Sequence, residues 1–71
     1  MDRYRYTAQL KGRRGAPPRV YDYSIRSEKE GLEGLESFFG ARMKEFGDEL
    51  ASVALEQSQT GIEWEVVKTF P

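Results

Sequence analysis

Nine consecutive residues, Arg3 to Lys11, alternate without a break. Tyr4, Tyr6, Ala8 and Leu10 fall on one side, and Arg3, Arg5, Thr7, Gln9 and Lys11 on the other. A period of two with Tyr and Thr among the residues is the pattern of a half-buried strand. A lone strand leaves its backbone polar groups unpaired, so the chain must supply neighbouring strands and a layer to cover the apolar side. Residues 19–26 repeat the pattern, with Tyr21, Tyr23 and Ile25 opposite Val20, Asp22, Ser24 and Arg26. Between them, Gly12-Arg13-Arg14-Gly15-Ala16-Pro17-Pro18 breaks both strands and marks the irregular tip of a hairpin.

The covering layer follows. Ser27-Glu28-Lys29-Glu30 is a capping box, in which the Ser27 hydroxyl accepts from the Glu30 amide and the Glu30 carboxylate reaches back to the Ser27 amide. Leu32, Leu35, Phe39, Met43 and Phe46 recur at spacings of three and four, which makes one stripe of a helix over 28–46. Gly47 is its natural stop. Gly31, Gly34 and Gly40 lie inside it, each costing about 1 kcal/mol relative to Ala. Such a helix is held by packing, not by propensity.

The last third permits two readings. Residues 50–57 form either a strand with Ala51, Val53 and Leu55 inward, or a helix capped by Asp48 with Leu50, Val53, Ala54 and Gln57 aligned. The turn signal Ser58-Gln59-Thr60-Gly61 and the need to complete a sheet favour the strand. A final strand over 61–70 places Ile62, Trp64 and Val66 inward and Glu63, Glu65 and Val67 outward. The expected fold is one α+β domain over 1–71, a small antiparallel sheet in the order ββαββ (ββααβ if 50–57 is helical) with one main helix on one face.

At 71 residues a single core is near its lower size limit, and small chains often add disulfides or metals. This chain has neither Cys nor His. That excludes disulfides, serine and cysteine triads, ordinary zinc sites and thiol redox chemistry. No spaced carboxylate motif or phosphate-cradling glycine loop appears, so no catalytic residue, metal or cofactor is assigned and a non-enzymatic role is expected. Neither a signal-type N-terminus nor an apolar run of membrane-spanning length is present, which with the absence of Cys leads to a cytoplasmic expectation without membrane contact.

The net charge of −1 hides an asymmetry. Residues 1–26 carry seven basic groups and two acids, a balance of +5; residues 27–71 carry four basic groups and ten acids, a balance of −6. Either the halves pair across the sheet or they face a charged partner. Glu63 and Glu65 would meet Arg3 and Arg5 if the first and last strands were neighbours.

Three surfaces follow as candidates. On the helix flank, Phe38 with Gly31, Gly34 and Ala41 forms a shallow patch that another backbone could approach closely, and Glu63 with Glu65 adds charge on the open sheet face. These are the expected partner-binding residues. The alternative is nucleic-acid binding through Arg3, Arg5, Arg13, Arg14 and Arg19, whose planar guanidinium groups suit phosphates. The four tyrosines share the apolar side, so the open face would lack the stacking aromatics of sheet-based RNA readers. In layout, a tiny Cys-free sheet-plus-helix chain of polarised charge resembles the small inhibitors that phages make against host polymerases or defence complexes. That resemblance implies a protein-binding module acting by surface occupation, and the small core adds a homodimer to the expected partners.

Overall fold

In a computed structural model describing residues 2–12 and 17–71, the chain forms a four-stranded antiparallel sheet crossed on one face by a single helix. The elements are β1 (Arg3–Leu10), β2 (Arg19–Tyr21), α1 (Glu28–Phe46), β3 (Leu50–Ser58) and β4 (Glu65–Phe70), with a 3-10 turn at Gly47–Glu49. The class is α+β, and residues 50–58 are strand. The sheet order is β2-β1-β3-β4, which places β1 and β3 in the middle and leaves β2 and β4 as edges. With principal extents of 35 × 26 × 16 Å, the molecule is two layers thick. No helix among the described residues is long and apolar enough to cross a membrane.

Alternation sets the two faces. Tyr6 and Ala8 stand opposite Leu55 and Val53, and all four are buried beneath α1 with Leu10, Leu35, Phe38 and Leu50. The odd-numbered side of β1 carries Arg5, Thr7 and Gln9 opposite Glu56, Ala54 and Ser52. Among the described residues, no helix or second sheet covers that side. A register shift at Gln9/Leu10 takes Ala51 out of the ladder and sets Leu50 opposite Leu10, so Leu50 fills the core position expected of Ala51, which is exposed.

The second expected strand is shorter than its pattern. Only Arg19–Tyr21 pairs with β1, because Asp22 Oδ1 accepts from the Ser24 amide (2.9 Å) and Ser24 turns into the left-handed region at φ +56°. This Asx-type turn ends the ladder and directs residues 22–27 toward the helix. There Ser27 Oγ accepts from the Glu30 amide at 3.1 Å, as the capping-box motif requires. At the other end, Gly47 adopts φ +57° and its amide reaches the Met43 carbonyl.

The buried face of α1 is rotated from the expected stripe. Gly31, Leu35 and Phe38 are buried, whereas Leu32 is 38% and Met43 39% exposed. The glycines cause the rotation. A Cβ on Gly31 would lie 2.6 Å from Leu55 Cδ1, and one on Gly34 would lie 2.5 Å from Tyr6 Oη. Their absence lets the helix backbone settle onto β1 and β3, close enough for the Tyr6 hydroxyl to donate to the Gly31 carbonyl (2.8 Å).

Candidate functional site

The flank residues expected to bind a partner are mostly internal. Phe38 is 4% exposed and stacks on Tyr6 (4.5 Å between centroids), with Tyr21 and Tyr23 edge-on at 5.2 and 5.7 Å. Gly31 and Gly34 serve the close approach of the molecule's own sheet, not of another chain's backbone. Ala41 remains exposed and, with Gly34 and Phe38, lines a shallow groove beside Tyr23 and Ile25. Helical spacing alone did not distinguish the edge of the stripe from its centre, because a glycine has no side chain to mark the face it buries.

Arg42 closes this aromatic cluster. Its guanidinium lies 4.6 Å from the Tyr21 ring centre and 5.0 Å from that of Phe38. Nη1 donates to Tyr23 Oη at 3.1 Å, and Nε is 3.2 Å from a Glu45 carboxylate oxygen. Burial alone would lower the Arg42 pKa, but the Tyr23 hydrogen bond and the charges of Tyr23, Tyr21 and Glu45 together raise it. Burial pushes the Tyr6 phenol above its ordinary value, and nearby Glu30 and Tyr23 add to the shift.

On the open face, Thr7 and Ala54 stand opposite each other, both buried although no layer of the described residues lies over them. Their neighbours in register are Val20 on β2 and Thr69 on β4. Val66, opposite Glu56, lies on the same side. Val20 is 52% and Val66 59% exposed, so the floor is flanked by two exposed valines. This apolar centre was missed from sequence because Val20 and Val66 belong to strands whose partners alternation does not name.

One end of the floor holds a compact ion pair. Arg5 Nε donates to Glu56 Oε1 at 2.8 Å, and the Arg5 guanidinium lies 4.0 Å from the Trp64 ring centre. Trp64 therefore sits on the open face and not in the core. A register shift at Leu55/Glu56 takes Val67 out of the β3–β4 ladder. Past this bulge, Val67 and Phe70 pack against the core, while Val66 and Trp64 go to the open side. Ile62, expected inward, is 85% exposed. The open face thus has an aromatic after all, already stacked by Arg5.

The acidic expectation changes accordingly. Glu65 pairs with Gln57 on the helix side of the sheet, and Glu63 lies in the loop before β4, its amide held by Thr60 Oγ1 (3.2 Å). Neither forms an ion pair with Arg3 or Arg5: β1 and β4 are not neighbours, and Glu65 lies on the opposite face from both arginines. Glu56 takes that role, and Arg5–Glu56 is the one ion pair joining the basic and acidic halves among the described residues.

Nor do the arginines form one track. Arg3 and Arg5 are on the open face, with Arg3 against Gly61, while Arg19 lies opposite Ala8 on the helix side, 5.2 Å from the Phe46 ring centre. Arg13 and Arg14 lie outside the described residues. Comparison with protein-family models, curated proteins and solved structures finds no match.

Proposed function

We propose that the chain is a non-enzymatic protein-binding module that acts by occupying another protein's surface through the open face of its sheet. The observation that carries this reading is the apolar centre of an uncovered face, with Thr7 and Ala54 as floor and exposed Val20 and Val66 on either side. A partner of matching chemistry presents an uncharged apolar ridge that enters between the valines and excludes water there. The Arg5–Trp64 stack at the end of the floor offers a preorganised planar surface of the kind enriched at such contacts.

Charge favours a protein over a nucleic acid. Glu56 neutralises Arg5, and Arg19 is on the other side of the sheet, so the described arginines do not line up along a phosphate backbone. The raised pKa values of Tyr6 and Arg42 move both groups away from neutrality, which does not suit proton transfer near pH 7. A cytoplasmic inhibitor of a larger complex is the biological form this reading takes.

The test combines capture and salt titration. Immobilised wild-type chain is expected to retain a defined protein from a lysate of its source cell. Val66→Asp and Val20→Asp, shown folded by circular dichroism, should abolish retention, while Glu36→Gln on the outer side of the helix should not. Tight binding to DNA or RNA that falls steeply with salt and is lost in Arg3→Ala/Arg13→Ala/Arg14→Ala would replace this reading with the nucleic-acid one.

A further inference from the structure

β4 is an edge strand, and among the described residues no strand pairs with its outer side. Unprotected edges of this kind are templates for another strand. A second feature lies on the same side. Phe39 meets Phe70 of β4 at 5.0 Å, so this flank of α1 leans over the β4 edge. On a helix of 100° per residue, Leu32 and Met43 fall within 40° of Phe39, and both are more than one-third exposed. The molecule therefore has a free strand with a half-exposed apolar helix shoulder above it.

The sequence of β4 specifies the occupant. The bulge that removes Val67 from the ladder sets Glu65 opposite Gln57 and Lys68 opposite Leu55. Gln57 and Leu55 are two residues apart and share a face, so Glu65 and Lys68, three apart, also share one. In a regular strand they would point to opposite faces. From this geometry we infer that the chain forms a two-fold symmetric homodimer by antiparallel pairing of β4 with β4 of a second copy, Glu65 of each facing Lys68 of the other.

A two-fold axis normal to the sheet preserves faces, so it can pair Glu65 with the second copy's Lys68 only because the bulge has brought both to one face. A bulge ordinarily protects an edge. Here two identical bulges would oppose each other across the axis, with Val66 meeting Val66 of the other copy on the open side and each Val67 left out of the new ladder. The same register carries exposed Ile62 toward the Phe70–Pro71 end of the second copy. The two sheets become one of eight strands, with both helices on one side and their Leu32 and Met43 shoulders approaching each other. The open faces stay uncovered, so the dimer is independent of the partner reading above.

Sedimentation equilibrium over a range of protein concentrations tests this. The wild type should form a concentration-dependent dimer. Glu65→Lys and Lys68→Glu each turn two attractive cross-strand pairs into repulsive ones, and each should weaken the dimer about tenfold or more. The double variant Glu65→Lys/Lys68→Glu restores the pairing with signs exchanged and should return the dissociation constant to near the wild-type value. Both side chains are exposed, so neither reversal should disturb the fold, which circular dichroism of each variant checks. A wild type that stays monomeric at the highest attainable concentration overturns the inference. So does a dimer that neither single reversal weakens, or one weakened by both and not recovered in the double variant.

Discussion

The three glycines inside α1 have the same intrinsic helix penalty but meet different surroundings, so Ala substitution should separate them by sign. Each Gly→Ala gains about 1 kcal/mol of helix propensity. At Gly40 a Cβ meets nothing within 4 Å, so the whole gain is realised. At Gly31 the Cβ would lie 2.6 Å from Cδ1 and 2.8 Å from Cδ2 of Leu55, a completely buried residue at the centre of the sheet. Leu55 cannot swing away without disturbing Tyr6 and Val53, and forced packing of this kind costs roughly 1–3 kcal/mol, occasionally more. The same Cβ would push the helix off the sheet and stretch the hydrogen bond from Tyr6 Oη to the Gly31 carbonyl, which is worth about 1 kcal/mol. The net result is a loss of about 1–3 kcal/mol at Gly31 and a gain of about 1 kcal/mol at Gly40, a separation of roughly 2–4 kcal/mol. Gly34→Ala, which meets only the Tyr6 hydroxyl, should fall between them. Urea denaturation followed by far-ultraviolet circular dichroism measures all three. For a chain of this length, each kcal/mol moves the melting temperature by about 4–8 °C. If Gly31→Ala proved as stable as Gly40→Ala, the helix would not lie against β3 as described, and the core would need to be redrawn.

Phe38→Ala should cost about 3–5 kcal/mol in the same assay, because it removes the ring on which Tyr6, Tyr21 and Tyr23 converge; an unchanged midpoint would return Phe38 to the surface. Tyr6 titrates higher in the folded chain than its ordinary value of 10.0, so the folded state keeps its proton where the unfolded state loses it. Its contribution to stability is full below about pH 10 and is lost as pH rises through the folded pKa, so unfolding free energy should fall with pH in that alkaline window. Tyr6→Phe should flatten the slope, and an identical slope would remove Tyr6 as its source. Glu56→Gln should lower stability by about 1–3 kcal/mol by leaving Arg5 half-buried without its counter-charge. It should also raise weak, salt-sensitive binding of DNA at low ionic strength, and no change in either would mean that the pair does not neutralise the open face.

Alternation and capping carried the architecture. β1 places Tyr6, Ala8 and Leu10 in the core as its period of two requires, although Thr7 on the other side is buried too, and Ser27 caps the helix as its motif requires. What pattern could not supply were the two register shifts. At Gln9/Leu10 the shift put Leu50 in the core in place of Ala51, and at Leu55/Glu56 it reversed the faces of Trp64, Val66 and Val67. A bulge arises from how two strands twist against each other, so a single strand's sequence does not announce it. The strand order was hidden for a similar reason. Glu56 became the partner of Arg5 because β3, not β4, lies beside β1, and only the pairing of 50–58 with 3–10 reveals that. Charge asymmetry left pairing between the halves and a charged partner as alternatives, and named no residues through which the halves would meet. Phe38 was visible as an aromatic beside glycines, but whether that patch faced inward depended on how closely the helix approached the sheet.

As proposed above, another protein is held on the open sheet face, with Val20 and Val66 about its floor. The most direct measurement places a photo-crosslinking amino acid at position 66 and, as a control, at position 36 on the outer side of the helix, and irradiates each folded variant in a lysate of its source cell. A discrete covalent adduct with one protein is expected at position 66, absent at position 36 and lost when Val20→Asp is added. Equal labelling at both positions, or an adduct at 66 that survives Val20→Asp, would contradict it.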